Sequence, residues 1–175
     1  MAEKALKATL LTGNQIQTRI REMAQEIERD YPPGEPIHFV AVLKGAFMFL
    51  SDLSRAMTRP MTLDFMAVSS YANGAKSSGE VRMIKDVDTS LQGRNVIIVE
   101  DIVDTGLTLA YLQEILRARS PKSLKTVCLL SKPSRRQVDV PVDYIGFEID
   151  DRFVVGYGLD HAEQFRYLPY IAIFE

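Results

Sequence analysis

The sequence predicts an α/β fold in which a central, mostly parallel sheet is flanked by helices. Apolar runs without polar alternation, such as IHFVAVL at 37–43 and VIIV at 96–99, are typical of strands buried on both faces of a sheet. Stretches with helical periodicity lie between these runs, so that strands and helices alternate along the chain. The chain has 175 residues, 46% of them hydrophobic, which suits one globular domain.

The first predicted element is a helix at 14–29, because Ile16, Ile20 and Ile27 share one face. YPPGEP at 31–36 ends it, since proline lacks an amide hydrogen and restricts the residue before it. The short C-terminal strands have two possible places, in the main sheet or outside it. The remaining predicted elements are, in order, a strand at 37–43, a helix at 45–57, a strand at 61–71, a small polar loop at 72–80, strands at 81–85 and 95–100, a helix at 105–119, and strands at 124–130, 144–149 and in the terminal YIAIF.

Composition excludes several classes of protein. A net charge of −2 gives no general attraction to nucleic acid or to an anionic membrane. The only cysteine, Cys128, lies in the apolar run TVCLL and is expected to be buried, and there is no cysteine and histidine cluster for zinc. No apolar stretch approaches the ~18 residues that span a bilayer, and the N-terminus does not read as a secretory signal. We therefore expect a cytoplasmic protein.

The chemistry is concentrated where the strand at 95–100 ends and the helix at 105–119 begins. In an open α/β sheet, ligands bind at the carboxyl ends of strands. The amides of residues 104–108 lie at a helix N-terminus, where they lack intrahelical partners and the helix dipole favours an anion. Gly106 lets the backbone approach a ligand closely, and Thr105 and Thr108 add hydroxyl donors. This segment is a predicted nest for one phosphate monoester.

Two carboxylates, Glu100 and Asp101, precede this nest and need a different partner. Adjacent carboxylates repel each other unless a cation or hydrogen-bond donors lie between them. A sugar diol or Mg²⁺ satisfies them, and a ribose 5-phosphate offers the diol and the monoester together. The alternative is a solvated loop in which Asp104 caps the helix, which explains only one acid. The chain lacks the Gly-rich motifs of nucleoside triphosphatases and dinucleotide-binding proteins.

The segment VIIVEDIVDTGLTL at 96–109 resembles the phosphoribosyl pyrophosphate motif of the type I phosphoribosyltransferases. Other segments resemble, in the same order, those of the hypoxanthine-guanine branch of that family, especially its short bacterial form. They are VLKGAFMF at 42–49, SSYANGAKSSGEV at 69–81, LLSKP at 129–133 and FEIDDRFVVGYGLDHAEQFRYLPYI at 147–171.

The resemblance implies the type I phosphoribosyltransferase fold as one domain over 1–175, with a core at about 37–140 and a small hood from the N-terminal and C-terminal segments. It implies Mg²⁺-dependent purine salvage, in which the 5-phosphoribosyl group passes from phosphoribosyl pyrophosphate to N9 of a 6-oxopurine. Hypoxanthine or guanine then gives IMP or GMP, with pyrophosphate. No nucleic-acid or membrane partner is implied, and the assembly is a homodimer or homotetramer.

The resemblance also assigns roles to residues. Asp104 is the catalytic base for the proton of purine N7, Glu100 and Asp101 hold the ribose hydroxyls, and Ser70 and Tyr71 lie on a flexible loop that closes over the site. In the family the peptide at Leu43–Lys44 can be cis. The implied binding sets are Asp104, Thr105, Gly106, Leu107 and Thr108 for the 5-phosphate, Lys44, Gly45 and Arg166 for pyrophosphate, Lys132, Phe153, Val154 and Asp160 for the purine, and Glu100, Asp101 and Asp160 for metal.

Each of these roles has a structural alternative. Without the resemblance, Lys132 is a surface lysine, Phe153 a core side chain and Arg166 a solvated helix residue. His38 in a buried strand and His161 at a helix start are not expected to be catalytic. Phe47, Met48 and Phe49 belong either to the core or to a subunit interface.

Two other functions compete with the enzyme. One is a regulator that senses phosphoribosyl pyrophosphate and binds nucleic acid, which the net charge of −2 disfavours. The other is a phosphoribosyltransferase for a different base, such as xanthine or a pyrimidine. Lys132 favours a 6-oxopurine but does not separate hypoxanthine from guanine.

Overall fold

The computed structural model of the protein describes residues 6–70 and 81–175. The predicted loop at 72–80 and Tyr71 lie outside the described residues. Within those residues, no helix combines the length and the apolar character that a membrane span requires.

In the described part of the chain, the main sheet has six strands and is parallel except at one edge. Its order there is β4-β3-β2-β5-β6-β7, and among these described strands only the pair β3 and β4 is antiparallel. The predicted α/β class with a mostly parallel sheet is therefore confirmed. The strands are β2 (Ile37–Leu43), β3 (Met61–Ser70), β4 (Val81–Lys85), β5 (Asn95–Val103), β6 (Ser123–Ser131) and β7 (Tyr144–Glu148).

Among residues 6–70 and 81–175, three α-helices cover the two faces of this sheet: α1 (Gly13–Arg29), α2 (Phe47–Ala56) and α3 (Leu107–Arg117). Thr12 caps α1, and a capping box with Gln15 satisfies amides of its first turn. Alternate residues of the central strands point to opposite faces. Side chains such as Phe39 and Ile97 pack toward α1 and α2, whereas Val96 and Ile98 pack toward α3. Phe49 belongs to the first of these cores, and Phe47 is partly exposed.

A second, three-stranded sheet is formed by the two ends of the chain. Its strands β1 (Leu6–Leu11), β9 (Ile171–Phe174) and β8 (Val154–Val155) are antiparallel and lie in the order β1-β9-β8. The terminal strand therefore pairs outside the main sheet, one of the two places left open by its sequence. Neither β1 nor β8 was foreseen, because one is mostly exposed and the other has only two residues.

Several predictions differ from the structure at the carboxyl edge of the sheet. Strand β5 continues through Asp101 to Val103 instead of ending at Glu100. Helix α3 begins at Leu107, two residues later than predicted. The expectation that His161 begins a helix is wrong: His161 and Gln164 form an isolated antiparallel bridge around a tight turn. This turn and the loops after β2, β5 and β6 meet at the same edge.

Candidate active site

The loop between β5 and α3 has the form of an anion nest. Gly106 is the N-cap of α3 and has a φ of 85°, a left-handed conformation that suits glycine. Thr105 Oγ1 accepts a hydrogen bond of 3.4 Å from the amide of Leu107. The amides of Thr105, Gly106 and Thr108 have no hydrogen-bond partner among the described residues. They border a cavity of about 100 Å³ that is also lined by Glu100 and Asp104.

Asp104 does not cap the helix, so the structural alternative offered for it is not observed. Its carboxylate oxygen Oδ1 instead accepts a 3.0 Å hydrogen bond from Arg135 Nε. Arg136 Nη1 donates to the carbonyl oxygen of Asp104 at 2.9 Å, and the amide of Gln137 donates to the carbonyl of Thr105 at 2.9 Å. The segment after β6 thus holds the nest from one side.

Gly106 is also required by this packing. A Cβ built on Gly106 would lie 2.9 Å from Val140 Cγ1 and 3.0 Å from Arg136 Cδ. Contacts this short would force the side chains of Val140 and Arg136 to move, so glycine suits both the backbone conformation and the packing of the nest.

The two strand-tip carboxylates face different parts of the site. Successive residues of a strand point to opposite sides, and β5 is still extended at both positions. Glu100 lines the cavity of the nest, whereas Asp101 lies against Gly45. Burial and the negative charge of Asp101 raise the pKa of Glu100 well above its usual range. Burial also raises the pKa of Asp101 to about 6, although a 2.7 Å hydrogen bond from the amide of Ile102 opposes this.

The loop after β2 approaches Asp101 so closely that only glycine fits at position 45. A Cβ on Gly45 would collide with the carboxylate of Asp101, and a Cβ on Gly158 would collide with the carbonyl oxygen of Gly45. The peptide between Leu43 and Lys44 is cis. The close approach at Gly45 places its backbone directly beside the carboxylate of Asp101.

The predicted pyrophosphate residues meet in one ionic cluster. Lys44 Nζ lies 2.9 Å from Glu163 Oε2, and Arg166 Nη2 lies 2.9 Å from Asp160 Oδ1 and 3.4 Å from Glu163 Oε1. Arg166 Nη1 donates to the carbonyl of Gly158 at 2.7 Å. Arg166 is therefore a partly buried residue of the turn and not a solvated helix residue. Its Nε is buried and has no hydrogen-bond partner among the described residues.

The predicted purine residues lie at the ends of β6 and at β8. Lys132 is 7% exposed, so it is not the surface lysine of the alternative interpretation. Its Nζ lies 3.7 Å from Asp151 Oδ1. Phe153 is 52% exposed and therefore not a core side chain; it meets His161 and Phe174 edge to face. Val154 is buried in β8.

The structure thus brings Glu100, Asp104 and the nest together on one side of β5, and Asp101, Lys44, Asp160 and Arg166 on the other. Ser70 ends β3, and its predicted loop partner Tyr71 lies outside the described residues. Cys128 is fully buried in β6, as predicted, and burial raises the pKa of its thiol. His38 is buried in β2, where Nδ1 lies 2.7 Å from Thr62 Oγ1.

Several contacting residues were missed from the sequence. Arg135, Arg136, Asp151 and Glu163 all contact a predicted site residue. The run SKPSRR, in which two arginines follow the predicted purine lysine after Pro133 and Ser134, was the available signal for Arg135 and Arg136. Glu163 had no comparable signal.

The fold and this site are those of a known class of enzyme. The family model for the phosphoribosyl transferase domain matches residues 8–162. The chain therefore belongs to the phosphoribosyl transferase family, and its sheet with a terminal hood has the type I fold of that family.

Its relatives narrow the class to the hypoxanthine-guanine branch. Hypoxanthine-guanine phosphoribosyltransferase of Bacillus subtilis is 47% identical over 173 residues, which cover 99% of this chain and 96% of that protein. The enzyme of Mycobacterium tuberculosis H37Rv is 47% identical over 95% of this chain and 85% of its own. The crystal structure of a Bacillus anthracis hypoxanthine-guanine phosphoribosyltransferase superposes with a TM-score of 0.93 at 47% identity, covering 97% of this chain and 99% of that one. The resemblance stated from the sequence is confirmed, and the protein is a transferase of this branch.

Proposed function

We propose that this enzyme transfers the 5-phosphoribosyl group from phosphoribosyl pyrophosphate to N9 of hypoxanthine or guanine, giving IMP or GMP and pyrophosphate. The observation that carries the proposal is the cavity in which unpaired amides of the nest, the carboxylate of Glu100 and the carboxylate of Asp104 converge. The amides suit a phosphate monoester, the carboxylate of Glu100 suits a ribose hydroxyl, and the carboxylate of Asp104 suits a purine that must lose a proton. The names of the relatives support the same substrates.

The phosphate and ribose are held from β5 and α3. The amides and hydroxyls of Thr105 and Thr108, with the positive end of α3 behind them, receive the 5-phosphate. Glu100 accepts hydrogen bonds from the ribose hydroxyls. Because the nest is supported by backbone contacts from the segment after β6, it is formed before substrate arrives, which limits the ordering cost of binding.

On the leaving-group side, the cluster of Lys44, Glu163 and Arg166 receives pyrophosphate. Phosphate oxygens replace the carboxylate of Glu163 on the two cations, and the free Nε of Arg166 supplies a further donor. The amide of Gly45 adds a backbone donor. As the bond from C1 to the pyrophosphate oxygen breaks, these fixed positive groups stabilise the charge that develops on the leaving group.

On the purine side, N9 forms the new bond to C1 and the proton leaves N7 for the carboxylate of Asp104, which acts as the general base. Lys132 donates to the 6-oxo group, Phe153 stacks on the ring, and the backbone of Val154 and Asp160 contacts the ring's other substituents. Ser70 and Tyr71 are proposed to close over the site and exclude water from the ribosyl cation.

Mg²⁺ fits the residues that are present. Glu100 and Asp101 supply only oxygen ligands, and both carboxylates have a raised pKa that a bound cation would offset. No group of three or more potential ligands forms a complete cage among residues 6–70 and 81–175. Mg²⁺ in proteins is usually held by one or two carboxylates plus substrate phosphates. A magnesium site that the substrate completes therefore fits these residues. We propose that Glu100 and Asp101 would hold one Mg²⁺ together with the substrate's diol and pyrophosphate, and that Asp160 would hold a second; bound there, the ions would offset the negative charge of the pyrophosphate.

The test is nucleotide formation from phosphoribosyl pyrophosphate and Mg²⁺, measured separately with hypoxanthine, guanine, xanthine, adenine and uracil. We expect turnover with hypoxanthine or guanine and at least about a hundredfold lower kcat/KM with adenine and uracil. Adenine offers Lys132 no 6-oxo acceptor, and uracil has no purine ring. Binding of phosphoribosyl pyrophosphate without turnover of any base would contradict the enzyme and favour the sensing regulator.

The predictions of a homodimer or homotetramer, a cytoplasmic location and the absence of a nucleic-acid or membrane partner accompany this proposal. The mass measured by light scattering on the purified protein distinguishes the two assemblies.

A further inference from the structure

We propose that Arg135 is a positioning residue that holds the carboxylate of Asp104 in line with Lys132, and so aligns the two groups that meet one edge of the purine. This inference rests on the function proposed above. None of the residue roles implied by the family resemblance includes Arg135.

The geometry forms a chain of four alternating charges. Arg135 Nε donates to Asp104 Oδ1 at 3.0 Å, and its Nη1 lies 3.6 Å from Asp151 Oδ2. The other oxygen of Asp151 lies 3.7 Å from Lys132 Nζ. Arg135 uses two different nitrogens for the two acids, and the fork of a guanidinium is suited to such a bridge. The general base and the purine lysine are thereby connected through one arginine.

The segment that carries Arg135 is itself fastened to the loop of Asp104. Arg135 ends a short 3₁₀ helix, Pro133–Arg135, and its amide donates to the carbonyl of Lys132 at 3.1 Å. The next two residues donate to the carbonyls of Asp104 and Thr105, each at 2.9 Å. The guanidinium therefore extends from a segment that is already fastened to the loop it positions.

The chemistry explains why such a bridge matters. N7 and O6 of a 6-oxopurine lie side by side on the same edge of the base. Asp104 must reach N7 while Lys132 reaches O6, so the distance between the two side chains has to match the spacing of N7 and O6. Asp104 is partly exposed on a loop and, if unrestrained, would sample several rotamers. A misplacement of about 1 Å in a reacting group costs up to about a hundredfold in rate.

The experiment compares Arg135→Met, which keeps the length of the side chain without its charge, with Arg135→Lys, which keeps a cation. With hypoxanthine as the base, we expect Arg135→Met to lower kcat about tenfold while the KM for phosphoribosyl pyrophosphate changes less than about twofold. Arg135→Lys should recover most of that loss. Arg119→Met is the matched control, because Arg119 forms a 2.7 Å ion pair with Asp86 away from the site and should leave kcat unchanged.

A double-mutant cycle separates this role from a general structural one. If Arg135 acts through the carboxylate of Asp104, Arg135→Met should cost less than about twofold in kcat when added to Asp104→Asn, measured by a radiolabelled endpoint assay. An equal loss in both backgrounds would overturn the inference, as would a Lys variant no better than Met or a Met variant with wild-type kcat. Absence of turnover in the wild-type enzyme with every base rejects the proposed function instead, so the two failures are distinguishable.

Discussion

Substitution of Gly106 by alanine tests whether the nest depends on its close packing against the segment after β6. Gly106 has a φ of 85°, and a Cβ at this position would lie 2.9 Å from Val140 Cγ1. The left-handed conformation costs a residue with a Cβ about 1–2 kcal/mol. Forcing a methyl group into a packed space costs about 1–3 kcal/mol more. We therefore expect Gly106→Ala to lower the free energy of unfolding by about 3 kcal/mol.

The matched control is Gly93→Ala. Gly93 has a φ of 70°, but a Cβ there would find nothing within 4 Å. In Gly93→Ala the free energy of unfolding should fall only by the conformational cost, about 1 kcal/mol. For a protein of this size each kcal/mol corresponds to about 2–4 °C in Tm, so the two variants should differ by at least about 4 °C.

The free energy of unfolding and the Tm are measured on the purified variants by urea and thermal unfolding. Binding of phosphoribosyl pyrophosphate to the same variants is measured by calorimetric titration. Gly106→Ala should also weaken this binding by at least about tenfold, because the amides of the nest move apart, whereas Gly93→Ala should not. Equal stability of the two variants, or unchanged binding in Gly106→Ala, would refute the reasoning.

Three further predictions concern other parts of the molecule. Glu163→Gln removes the carboxylate that pairs with Lys44 and Arg166, so pyrophosphate should bind about two- to fivefold tighter by calorimetry; weaker binding would show that Glu163 helps to hold the ligand instead. Phe153→Ala should raise the KM for hypoxanthine about tenfold with little change in Tm, while the more exposed control Tyr167→Ala should change neither; a large loss of Tm in Phe153→Ala would point to a core role. Asp64 is buried, and burial alone would raise its pKa. Four hydrogen bonds outweigh burial and place the pKa below the usual value; they come from the amides of Phe65, Asp88 and Thr89 and from the Thr89 hydroxyl. The ionised form is therefore favoured by folding, so its contribution of about 1–3 kcal/mol is present above about pH 4 and lost as the pH falls through the lowered pKa. Urea unfolding should show wild type more stable than Asp64→Asn at pH 7 and the difference shrinking below pH 4, with exposed Asp88→Asn as the control; a difference that is constant from pH 7 to pH 3 would contradict this assignment.

The part of the site that follows β5 could be predicted from the sequence because it is local. An apolar run followed by Glu100, Asp101 and the 104–108 segment predicts a strand, a loop and a helix N-terminus, and the chemistry of each residue type follows from that placement. The exact end of β5 was missed, since two carboxylates look like the end of a buried strand. Its extension through Val103 separates the two acids onto opposite faces, which no local pattern shows.

The turn at 161–166 was misinterpreted for a different reason. HAEQFR contains good helix formers, but Ala162, Glu163 and Phe165 all have positive φ values. The turn is held by a local 2.8 Å hydrogen bond from the amide of Glu163 to Asp160 Oδ2 and by a tertiary contact, the ion pair of Glu163 with Lys44, 119 residues away in the sequence. Contacts at such separations override local propensity.

The roles of Lys132 and Phe153 depended on the family resemblance, and the structure shows why. A polar, proline-containing segment around Lys132 reads as surface, yet the fold buries this lysine beneath the turn that follows β6. Phe153 reads as core, yet the short β8 leaves it half exposed at the rim. Lys132 pairs with Asp151 and Phe153 meets Phe174, contacts between distant parts of the sequence that local periodicity does not encode.

We propose that one loop, residues 104–108, both binds the 5-phosphate and carries the general base. The most direct test is the steady-state kinetics of Asp104→Asn with hypoxanthine, together with calorimetric binding of phosphoribosyl pyrophosphate to the same variant. Asparagine keeps the shape of the loop but accepts no proton, so kcat should fall by at least about a hundredfold while the Kd for phosphoribosyl pyrophosphate changes less than about threefold. Wild-type kcat in Asp104→Asn, or a loss explained entirely by weaker phosphoribosyl pyrophosphate binding, would contradict the claim.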